Sequence, residues 1–237
     1  MSNNSRPVVG VLECGRFSDE MTEKHGSYTQ LYSSILGTEV FDYRTFAVHL
    51  GDRPTVNDAD AWVISGSRHG AYEDHDWIPP TEEHLRNAYA AKQPIVGVCF
   101  GHQILAKALG GKVEKFSGGW QMGQMNYELN GPFDDALEGK ANLLAFHQDQ
   151  VVELPKDATV IGSAPHCQYA ALQYGQQAIS IQPHPEFDDD LVNDILIERG
   201  HLFPKEDVTN AHESLGDELH NSHVASVLRN FILQGLA

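Results

Sequence analysis

Residues 94–111, PIVGVCFGHQILAKALGG, join a β-strand to an α-helix at a single cysteine, and no other stretch limits the fold as strongly. The residues before Cys99 form an apolar run typical of a buried strand, and those after it have helical spacing. Gly97 and Gly101 stand two residues before and two after the cysteine, because a tight turn needs small neighbours. Such a turn lifts its side chain above the carboxyl edge of a parallel sheet, where α/β proteins bind ligands.

The position of Cys99 at the start of a predicted helix favours chemistry at its sulfur. Free N–H groups and the positive dipole end of a helix stabilise a thiolate, which is the nucleophilic form of cysteine. The backbone N–H of Phe100 is also placed to stabilise an oxyanion formed on an attacked carbonyl. The alternative is a buried structural cysteine, which is common in cores. The G-x-C-x-G pattern alone does not decide between the two, so a base must be found elsewhere.

A candidate base occurs at the end of another apolar strand, AISIQPHPEF at 178–187. His184 and Glu186 are separated by one proline, and in an extended chain residues i and i+2 point to the same side. Pro183 and Pro185 favour extended backbone at their neighbours. The pattern therefore predicts an imidazole whose tautomer is fixed by a carboxylate, as in Ser–His–Asp triads. The alternative, half of a metal site, lacks a further ligand pair at suitable spacing.

A third element, DADAWVISGSRHG at 58–70, is a short apolar strand that ends in a glycine-bearing turn. The backbone N–H groups around Gly66 and Ser67 have no bulky side chain in the way. They are suited to complete an oxyanion hole together with the N–H of Phe100. Taken alone, this loop is better explained as an ordinary turn.

The order of the segments predicts a single α/β domain over 1–237, with a core at about 7–190 and a C-terminal helical extension at about 188–237. In the first half strands alternate with helices, which indicates a parallel sheet with helices on both faces. The predicted strands there are 7–13, 38–46 and 58–70, and the predicted helices are 21–37 and 81–93. The second half contains short β-runs that indicate antiparallel additions and a last, central strand. The tail carries two predicted helices, at 188–200 and 215–235.

Composition limits the partners and the compartment. The 237 residues carry 16 Lys and Arg against 33 Asp and Glu, and the net charge of −17 repels phosphate backbones and anionic lipids. We therefore expect neither nucleic acid nor a membrane surface as a partner. The N-terminus lacks the apolar segment of a signal peptide, and no apolar run reaches the ~18 residues of a membrane helix. Three cysteines without a CxxC pair indicate free thiols, so we expect a cytoplasmic protein.

Taken together, the glycine turn, GVCFGHQ at 97–103 and HPE at 184–186 resemble the signatures of class I glutamine amidotransferase domains, in the same order and at plausible separations. The resemblance covers about residues 7–190 and implies a flavodoxin-like, mostly parallel sheet. The implied reaction attacks a γ-glutamyl amide, forms a γ-glutamyl thioester, releases the amine and hydrolyses the thioester to glutamate. The implied roles are nucleophile for Cys99, base for His184, partner of the base for Glu186, oxyanion hole for Gly66, Ser67 and Phe100, and substrate contacts for Gln103 and His147.

Other residues near these motifs receive different interpretations. His102 lies three residues past Cys99, where the family pattern has a histidine that is not the base, so we predict a structural role for it. Trp120 either walls the pocket or belongs to the core. The pair His220 and His223 suits a solvated helix face better than a metal site. An acidic group at 73–76 either meets the substrate's α-amino group or is simply solvated.

Two features favour a free-standing hydrolase. The glycine turn is SGSRHG where amidotransferases often have a Gly-Gly-Pro type of loop, and the sequence contains no Gly-rich phosphate loop of a synthetase. Several loops look closer to free-standing members, which include γ-glutamyl peptidases. We therefore predict hydrolysis of glutamine or of a γ-glutamyl peptide or conjugate, with no cofactor and no metal. The alternatives are a subunit that supplies ammonia to a separate synthetase, and a non-catalytic ligand-binding or thiol-sensing protein.

Overall fold

The computed structural model describes residues 5–133 and 139–237, which contain eleven β-strands and seven α-helices. The strands are β1 (Val8–Leu12), β2 (Asp42–Phe46), β3 (Ala61–Ile64), β4 (Ile95–Val98), β5 (Lys112–Lys115), β6 (Gln121–Leu129), β7 (Lys140–His147), β8 (Asp149–Glu153), β9 (Ala158–Ala164), β10 (Cys167–Tyr174) and β11 (Ala178–Ile181). The helices are α1 (Asp19–His25), α2 (Tyr28–Leu36), α3 (Ile78–Ala90), α4 (Phe100–Ala108), α5 (Asp189–Arg199), α6 (Lys205–Glu213) and α7 (Asn221–Leu236). None of these helices is both long enough and apolar enough to span a bilayer.

Nine of the described strands form one sheet, in the order β2-β1-β3-β4-β11-β10-β9-β6-β7. The first five are parallel, and their order is that of flavodoxin-like sheets. The next four extend the sheet by antiparallel pairing, while β5 and β8 pair separately. The predicted fold class is confirmed. The last strand, β11, lies in the centre of the sheet beside β4, as the sequence predicted.

Alternating strand side chains supply two hydrophobic clusters, one on each face of the sheet. In β3, Val63 belongs to one cluster, while Trp62 and Ile64 belong to the other. Buried residues of α1, α2, α5, α6 and α7 complete the first cluster, and those of α3 and α4 complete the second. Because helices cover both faces, the carboxyl edge of the parallel strands is the part of the sheet left for a site.

The prediction of one helix over 21–37 is wrong, because the chain breaks between α1 and α2. Gly26 has a φ of 88°, a conformation that glycine adopts readily and that ends α1. Ser27 then starts α2 with a capping box, in which its side chain and that of Gln30 each bond the other's backbone N–H. Helical spacing of apolar residues continues through this break, which is why spacing alone missed it.

The predicted helix start at Thr81 is also wrong, because α3 begins at Ile78. Pro79 and Pro80 occupy the first turn, where a missing N–H leaves no hydrogen bond unmade. Thr81 lies inside the helix, and its hydroxyl donates to the carbonyl oxygen of Trp77 at 2.7 Å. The two prolines therefore begin the helix, rather than separating it from the preceding loop.

The C-terminal segment, all of which is described, contains three helices where two were predicted. The helix α5 agrees with its prediction, and Asp188 caps it by accepting a hydrogen bond from the Leu191 N–H at 2.8 Å. The helix α6 was not predicted, and α7 begins at Asn221 instead of 215. Close approach of α6 to β6 depends on Gly123, where a Cβ would lie 2.2 Å from the Ser214 hydroxyl oxygen.

Candidate active site

Cys99 lies between β4 and α4 with a φ of 54° and a ψ of −105°. Among the described non-glycine residues, only Lys92 shares this sign of φ. Such a backbone costs about 1–3 kcal/mol and persists only where its surroundings impose it. Here the Cys99 N–H donates to the carbonyl oxygen of Ile181 at 2.9 Å, and its own carbonyl accepts from the Gln103 N–H at 3.1 Å. The strand and the helix therefore fix the turn that presents the thiol.

Gly97 and Gly101 are required by the close approach of β3, β4 and α4. A Cβ on Gly97 would lie 2.6 Å from the carbonyl oxygen of Gly101, and a Cβ on Gly101 would lie 2.2 Å from that of Ile64. Both distances are shorter than any ordinary carbon–oxygen contact, and both partners are backbone atoms that cannot rotate away. The two glycines therefore let the strand turn directly into the helix at Cys99.

His184 and Glu186 follow β11, and both side chains are buried. The Nδ1 atom of His184 lies 2.8 Å from Oε1 of Glu186. The sequence argument assumed an extended segment here, but the structure shows a turn. The backbone N–H of His184 donates to the carbonyl oxygen of Leu144 at 2.8 Å. The backbone N–H of Phe187 in turn donates to the carbonyl oxygen of His184 at 3.4 Å. A turn held against β7 therefore brings the carboxylate to the imidazole.

Two residues that sequence reasoning missed support this pair. The hydroxyl of Tyr32 donates to Oε1 of Glu186 at 3.0 Å. The ring of Phe187 stacks on that of His184, with centroids 3.9 Å apart and planes 6° apart. Phe187 directly follows the HPE motif, so the sequence offered a signal for it. Tyr32 lies on α2, far away along the chain, and only the fold connects it to the site.

The imidazole of His184 binds its proton strongly. Burial alone lowers the pKa of a histidine, but the charges and hydrogen bonds of Cys99 and Glu186 outweigh that effect and raise the pKa of His184 to about 10. Glu186 engages Nδ1, which leaves Nε2 as the nitrogen for the sulfur of Cys99. When the sulfur is ionised, the neighbouring imidazole is therefore protonated and can donate that proton.

The three predicted oxyanion-hole residues lie next to Cys99 and His184, at the start of α4 and on the loop after β3. Phe100 is the first residue of α4, so its N–H has no acceptor within the helix. Gly66 lies against the imidazole, since a Cβ added to it would be 3.1 Å from Cε1 of His184. Ser67 follows Gly66 on the loop after β3. A larger residue than glycine at 66 would thus press on the histidine ring.

A cavity of about 610 Å³ opens at Cys99. The sequence-predicted residues that line it are Ser67, Cys99, Gln103, His147 and His184. The others lie behind this wall, namely Gly66, Phe100 and Glu186. The structure therefore brings all of the predicted site residues together around one cavity.

Gln103 offers a free acceptor atom in this wall, and His147 carries one that is buried behind it. Burial lowers the pKa of His147 to about 3, so its ring is neutral. Its Nδ1 lies 3.2 Å from the carbonyl oxygen of Asp149, which can only accept, so the proton lies on Nδ1 and Nε2 is an acceptor without a partner among the described residues. The amide nitrogen of Gln103 is already bonded to the Asp149 carbonyl and to Gln182, which leaves its oxygen. The Gln103 oxygen suits an N–H or ammonium donor on a ligand, whereas Nε2 of His147 is itself buried and not open to the cavity.

Two other residues singled out in the sequence occupy distinct places. His102 is fully buried outside the cavity lining, and its Nδ1 lies 2.8 Å from the hydroxyl oxygen of Ser180. This position fits the structural role predicted for it. Trp120 combines the two predicted alternatives, because it lines the cavity and also packs against Phe146 and Phe203.

The solvated helix face predicted for His220 and His223 does not describe their positions. Both residues are half-buried. Nδ1 of His220 accepts a hydrogen bond from the Asn142 N–H at 2.9 Å, and Nε2 of His223 lies 3.0 Å from the carbonyl oxygen of Phe133. These histidines attach the start of α7 to β7 and to the loop before it, which a sequence pattern cannot show.

The cavity wall carries more positive charge than the molecule as a whole. Besides its histidines, it contains the four basic residues Arg16, Arg68, Lys115 and Arg199, against the three acidic residues Glu73, Asp149 and Glu198. Within the described ranges, Arg68, Lys115 and Arg199 form no ion pair. In a chain with twice as many acidic as basic residues, this local excess indicates a site for an anionic group.

Comparison with known proteins agrees with this geometry. The family model described as "Glutamine amidotransferase class-I" matches residues 22–199, three quarters of the chain. The chain is 33% identical to γ-glutamyl peptidase 3 of Arabidopsis thaliana over 76% of each protein. It is 28% identical to a glutamine amidotransferase-like protein of Schizosaccharomyces pombe, over 95% of this chain and 98% of that one. The crystal structure of a glutamine amidotransferase from Methylobacillus flagellatus superposes with a TM-score of 0.76, at 17% identity, over 98% and 96% of the two chains, which supports the fold alone.

Proposed function

This chain belongs to the class I glutamine amidotransferase family, and from that premise we propose that it hydrolyses γ-glutamyl amide bonds by itself, through a γ-glutamyl thioester on Cys99. The observation that carries the proposal is the chain of contacts from Cys99 at the cavity wall, through His184, to Glu186 behind the wall. A nucleophile, a base beside it and a carboxylate that orients the base are the parts that acyl transfer requires.

In the first half of the reaction, the sulfur of Cys99 attacks the carbonyl carbon of the γ-glutamyl amide. The carbonyl electron pair moves onto oxygen, where the N–H of Phe100 and the N–H groups of the loop at Gly66 and Ser67 stabilise it. The imidazole of His184 gives its Nε2 proton to the amide nitrogen, because its raised pKa keeps that proton available. The C–N bond then breaks, the amine leaves, and the acyl group remains on sulfur.

In the second half, water replaces the amine. The now neutral His184 takes a proton from water through Nε2, and the resulting hydroxide adds to the thioester carbonyl. The C–S bond breaks, glutamate leaves, and the sulfur and the protonated imidazole are restored as they began. Glu186 keeps the ring in the required tautomer throughout, because its oxygen accepts from Nδ1 at 2.8 Å.

The cavity favours a substrate larger than glutamine. At about 610 Å³ it falls within the ~300–1,000 Å³ of pockets that enclose drug-sized ligands. The unpaired cations Arg68, Lys115 and Arg199 suit a carboxylate on the leaving group, as in a γ-glutamyl dipeptide. The acceptor oxygen of Gln103 suits the α-ammonium of the γ-glutamyl part. The curated relative with γ-glutamyl peptidase in its name supports the same substrate class.

The test is to incubate the purified chain, without ATP or another protein, with glutamine, glutathione, a γ-glutamyl dipeptide and the same dipeptide as its C-terminal amide. Released glutamate gives kcat/KM for each. We expect the highest value for a peptide with a free carboxylate and a lower value for its amide. If glutamine alone reacts, and only after a synthetase is added, the chain is an ammonia-supplying subunit and the proposal is wrong.

A further inference from the structure

Three side chains on the loop between β3 and α3 converge at the edge of the cavity. The Oε2 atom of Glu73 lies 3.2 Å from Nδ1 of His69 and 2.7 Å from Nε2 of His75. The three candidate ligand atoms all lie within 4.8 Å of one another. His69 and Glu73 line the cavity and His75 does not, so the cluster lies at its rim. The proposed hydrolysis uses none of the three.

The loop holds these side chains in place independently of their mutual contacts. The Glu73 N–H donates to the carbonyl oxygen of Gly70 at 3.0 Å, and the His69 N–H donates to the Ser67 hydroxyl oxygen at 3.2 Å. The ring of His75 stacks on that of Trp77, with planes 16° apart and centroids 6.1 Å apart. Because backbone and aromatic contacts already orient the three residues, binding a ligand there requires little ordering of the loop.

The donor set and its spacing match one class of ligand. Two imidazoles and one carboxylate are the protein ligands of many zinc sites with an open fourth position. Bonds of about 2.0–2.2 Å at tetrahedral angles require ligand atoms roughly 3.3 Å apart, and the two Glu73 contacts are already near that separation. Mg²⁺ and Ca²⁺ prefer oxygen ligands, so the imidazoles select a zinc-type cation.

We propose that His69, Glu73 and His75 form a binding site for a zinc-type divalent cation at the rim of the active-site cavity. The cation replaces the hydrogen bonds between the three side chains with coordinate bonds from the same atoms. It also fixes the loop that carries Ser67, which the proposed mechanism places in the oxyanion hole. The sequence analysis predicted no metal because it sought a second ligand pair for the His-x-Glu at 184–186. The three rim residues are four and two positions apart, so they follow no single helical or strand period.

The test measures metal binding in a chain that cannot use its nucleophile as a ligand. Zinc is titrated by calorimetry into the full-length Cys99→Ala variant, which removes the thiolate of the active site. We expect one zinc per chain. Adding His75→Ala should weaken this binding at least ~10-fold, since loss of even an indirect partner of a metal ligand costs that much. Adding His166→Ala, an exposed histidine outside the cavity lining, should leave the binding unchanged.

A second variant separates metal binding from folding. Glu73→Gln, added to the Cys99→Ala parent, keeps the size of the side chain and removes its charge. It should weaken zinc binding while its circular dichroism spectrum stays like that of the parent. Zinc should raise the Tm of the parent by mass action and not that of Glu73→Gln. Equal zinc affinity in the His75→Ala and His166→Ala backgrounds, or no binding to the parent, would overturn the site. Neither result depends on whether γ-glutamyl compounds are hydrolysed.

Discussion

At the scale of single residues, the proposed chemistry depends on the sulfur of Cys99 and the imidazole proton of His184 being held at fixed positions next to each other. Cys99 is held by its backbone, because β4 and α4 impose the positive φ of the turn. His184 is held by its side chain, between the carboxylate of Glu186 and the ring of Phe187. Each can therefore be changed without removing what holds the other, which allows their roles to be tested separately.

We expect Cys99→Ala to lower kcat by at least about a thousandfold, because no other group in the site can form the thioester. The fold should remain intact, since alanine keeps the Cβ and the backbone strain of the turn is unchanged. Rates of glutamate release and the circular dichroism spectrum measure the two effects. Cys167→Ala is the matched control, a buried free cysteine outside the cavity lining, and should retain the parent rate. A Cys99→Ala variant with most of the parent rate would contradict the mechanism.

We expect His184→Ala to lower kcat more than Glu186→Gln does, by about one to two orders of magnitude, as in protease triads. Glutamine can still accept a hydrogen bond from Nδ1 and hold the ring, but it no longer stabilises the charged imidazolium. Single-turnover rates of the two variants on the same γ-glutamyl substrate provide the comparison. Equal or reversed losses would remove Glu186 from its orienting role.

The pH dependence follows from the same pair. His184 must carry a proton when the amine leaves, so kcat/KM should fall as pH rises through its pKa of about 10. Removing the carboxylate charge in Glu186→Gln lowers that pKa and should move the basic limb of the profile to lower pH. Tyr32→Phe is the control, because it removes one hydrogen bond to Glu186 and keeps the carboxylate. If the limb moves to lower pH equally in both variants, the charge of Glu186 is not what holds the proton.

At the scale of secondary structure elements, the site depends on how closely strands and helices approach. The turn at Cys99 exists because α4 lies directly against β3 and β4 at two glycines. The helix α2 brings Tyr32 to Glu186. Its N-terminus is held by Glu13, the residue after β1, whose Oε1 accepts hydrogen bonds from the N–H and the hydroxyl of Thr29. The placement of strands and helices thus fixes the position of Cys99 and of the Tyr32–Glu186 contact, which no single side chain could fix.

We expect Gly101→Ala to destabilise the protein by about 1–3 kcal/mol, because its Cβ would lie 2.2 Å from a backbone oxygen of β3 and force α4 away. For a chain of this length that is a fall in Tm of at least about 3 °C. Gly200→Ala is the matched control, since Gly200 has a helical φ of −56° and its Cβ would meet only the Val208 methyl groups, at 3.4 and 3.7 Å. Scanning calorimetry of both variants should show a loss for Gly101→Ala alone. Equal Tm values would contradict the packing argument.

At the scale of the whole molecule, the cavity is assembled from parts of the chain that are distant in sequence. The loop after β1, the loop after β3, the β7–β8 corner and the end of α5 all contribute to its wall. The guanidinium of Arg199 lies 5.9 Å from the ring centroid of Phe203, which orients the side chain. The C-terminal segment therefore forms one side of the cavity, and its helices also pack against the sheet.

We expect Arg199→Gln to raise KM about tenfold for a γ-glutamyl dipeptide with a free carboxylate, the effect of losing about 1.5 kcal/mol from one charged hydrogen bond. The kcat/KM for glutamine, which has no carboxylate on its leaving group, should change less than about twofold. Arg86→Gln, an exposed arginine of α3 outside the cavity lining, is the control and should leave both values unchanged. Equal losses on both substrates would place Arg199 in general stability rather than in leaving-group recognition.

The sequence by itself determined those features that adjacent residues dictate. The turn at Cys99 is one such feature. It follows from a strand that leads into a helix with glycines two residues before and two after the cysteine, because steric limits on a tight turn act over a few residues. Alternation of apolar strands with helices determined the parallel sheet, since only helices on both faces can bury such strands. The proximity of His184 and Glu186 was also local, although a turn and not an extended strand produces it.

Only the tertiary structure decided contacts between residues that are far apart in the chain. The hydrogen bond from Tyr32 to Glu186, the cations gathered around the cavity and the attachment of His220 and His223 to neighbouring backbone all depend on how α2, α5 and α7 pack. The group His69, Glu73 and His75 is close in sequence, but its convergence depends on a loop path without periodicity. The local sequence pattern determines whether a segment becomes a strand, a helix or a turn. The packing of whole faces decides which distant groups meet, because the hydrophobic free energy depends on the total apolar area buried and not on any particular pair of residues.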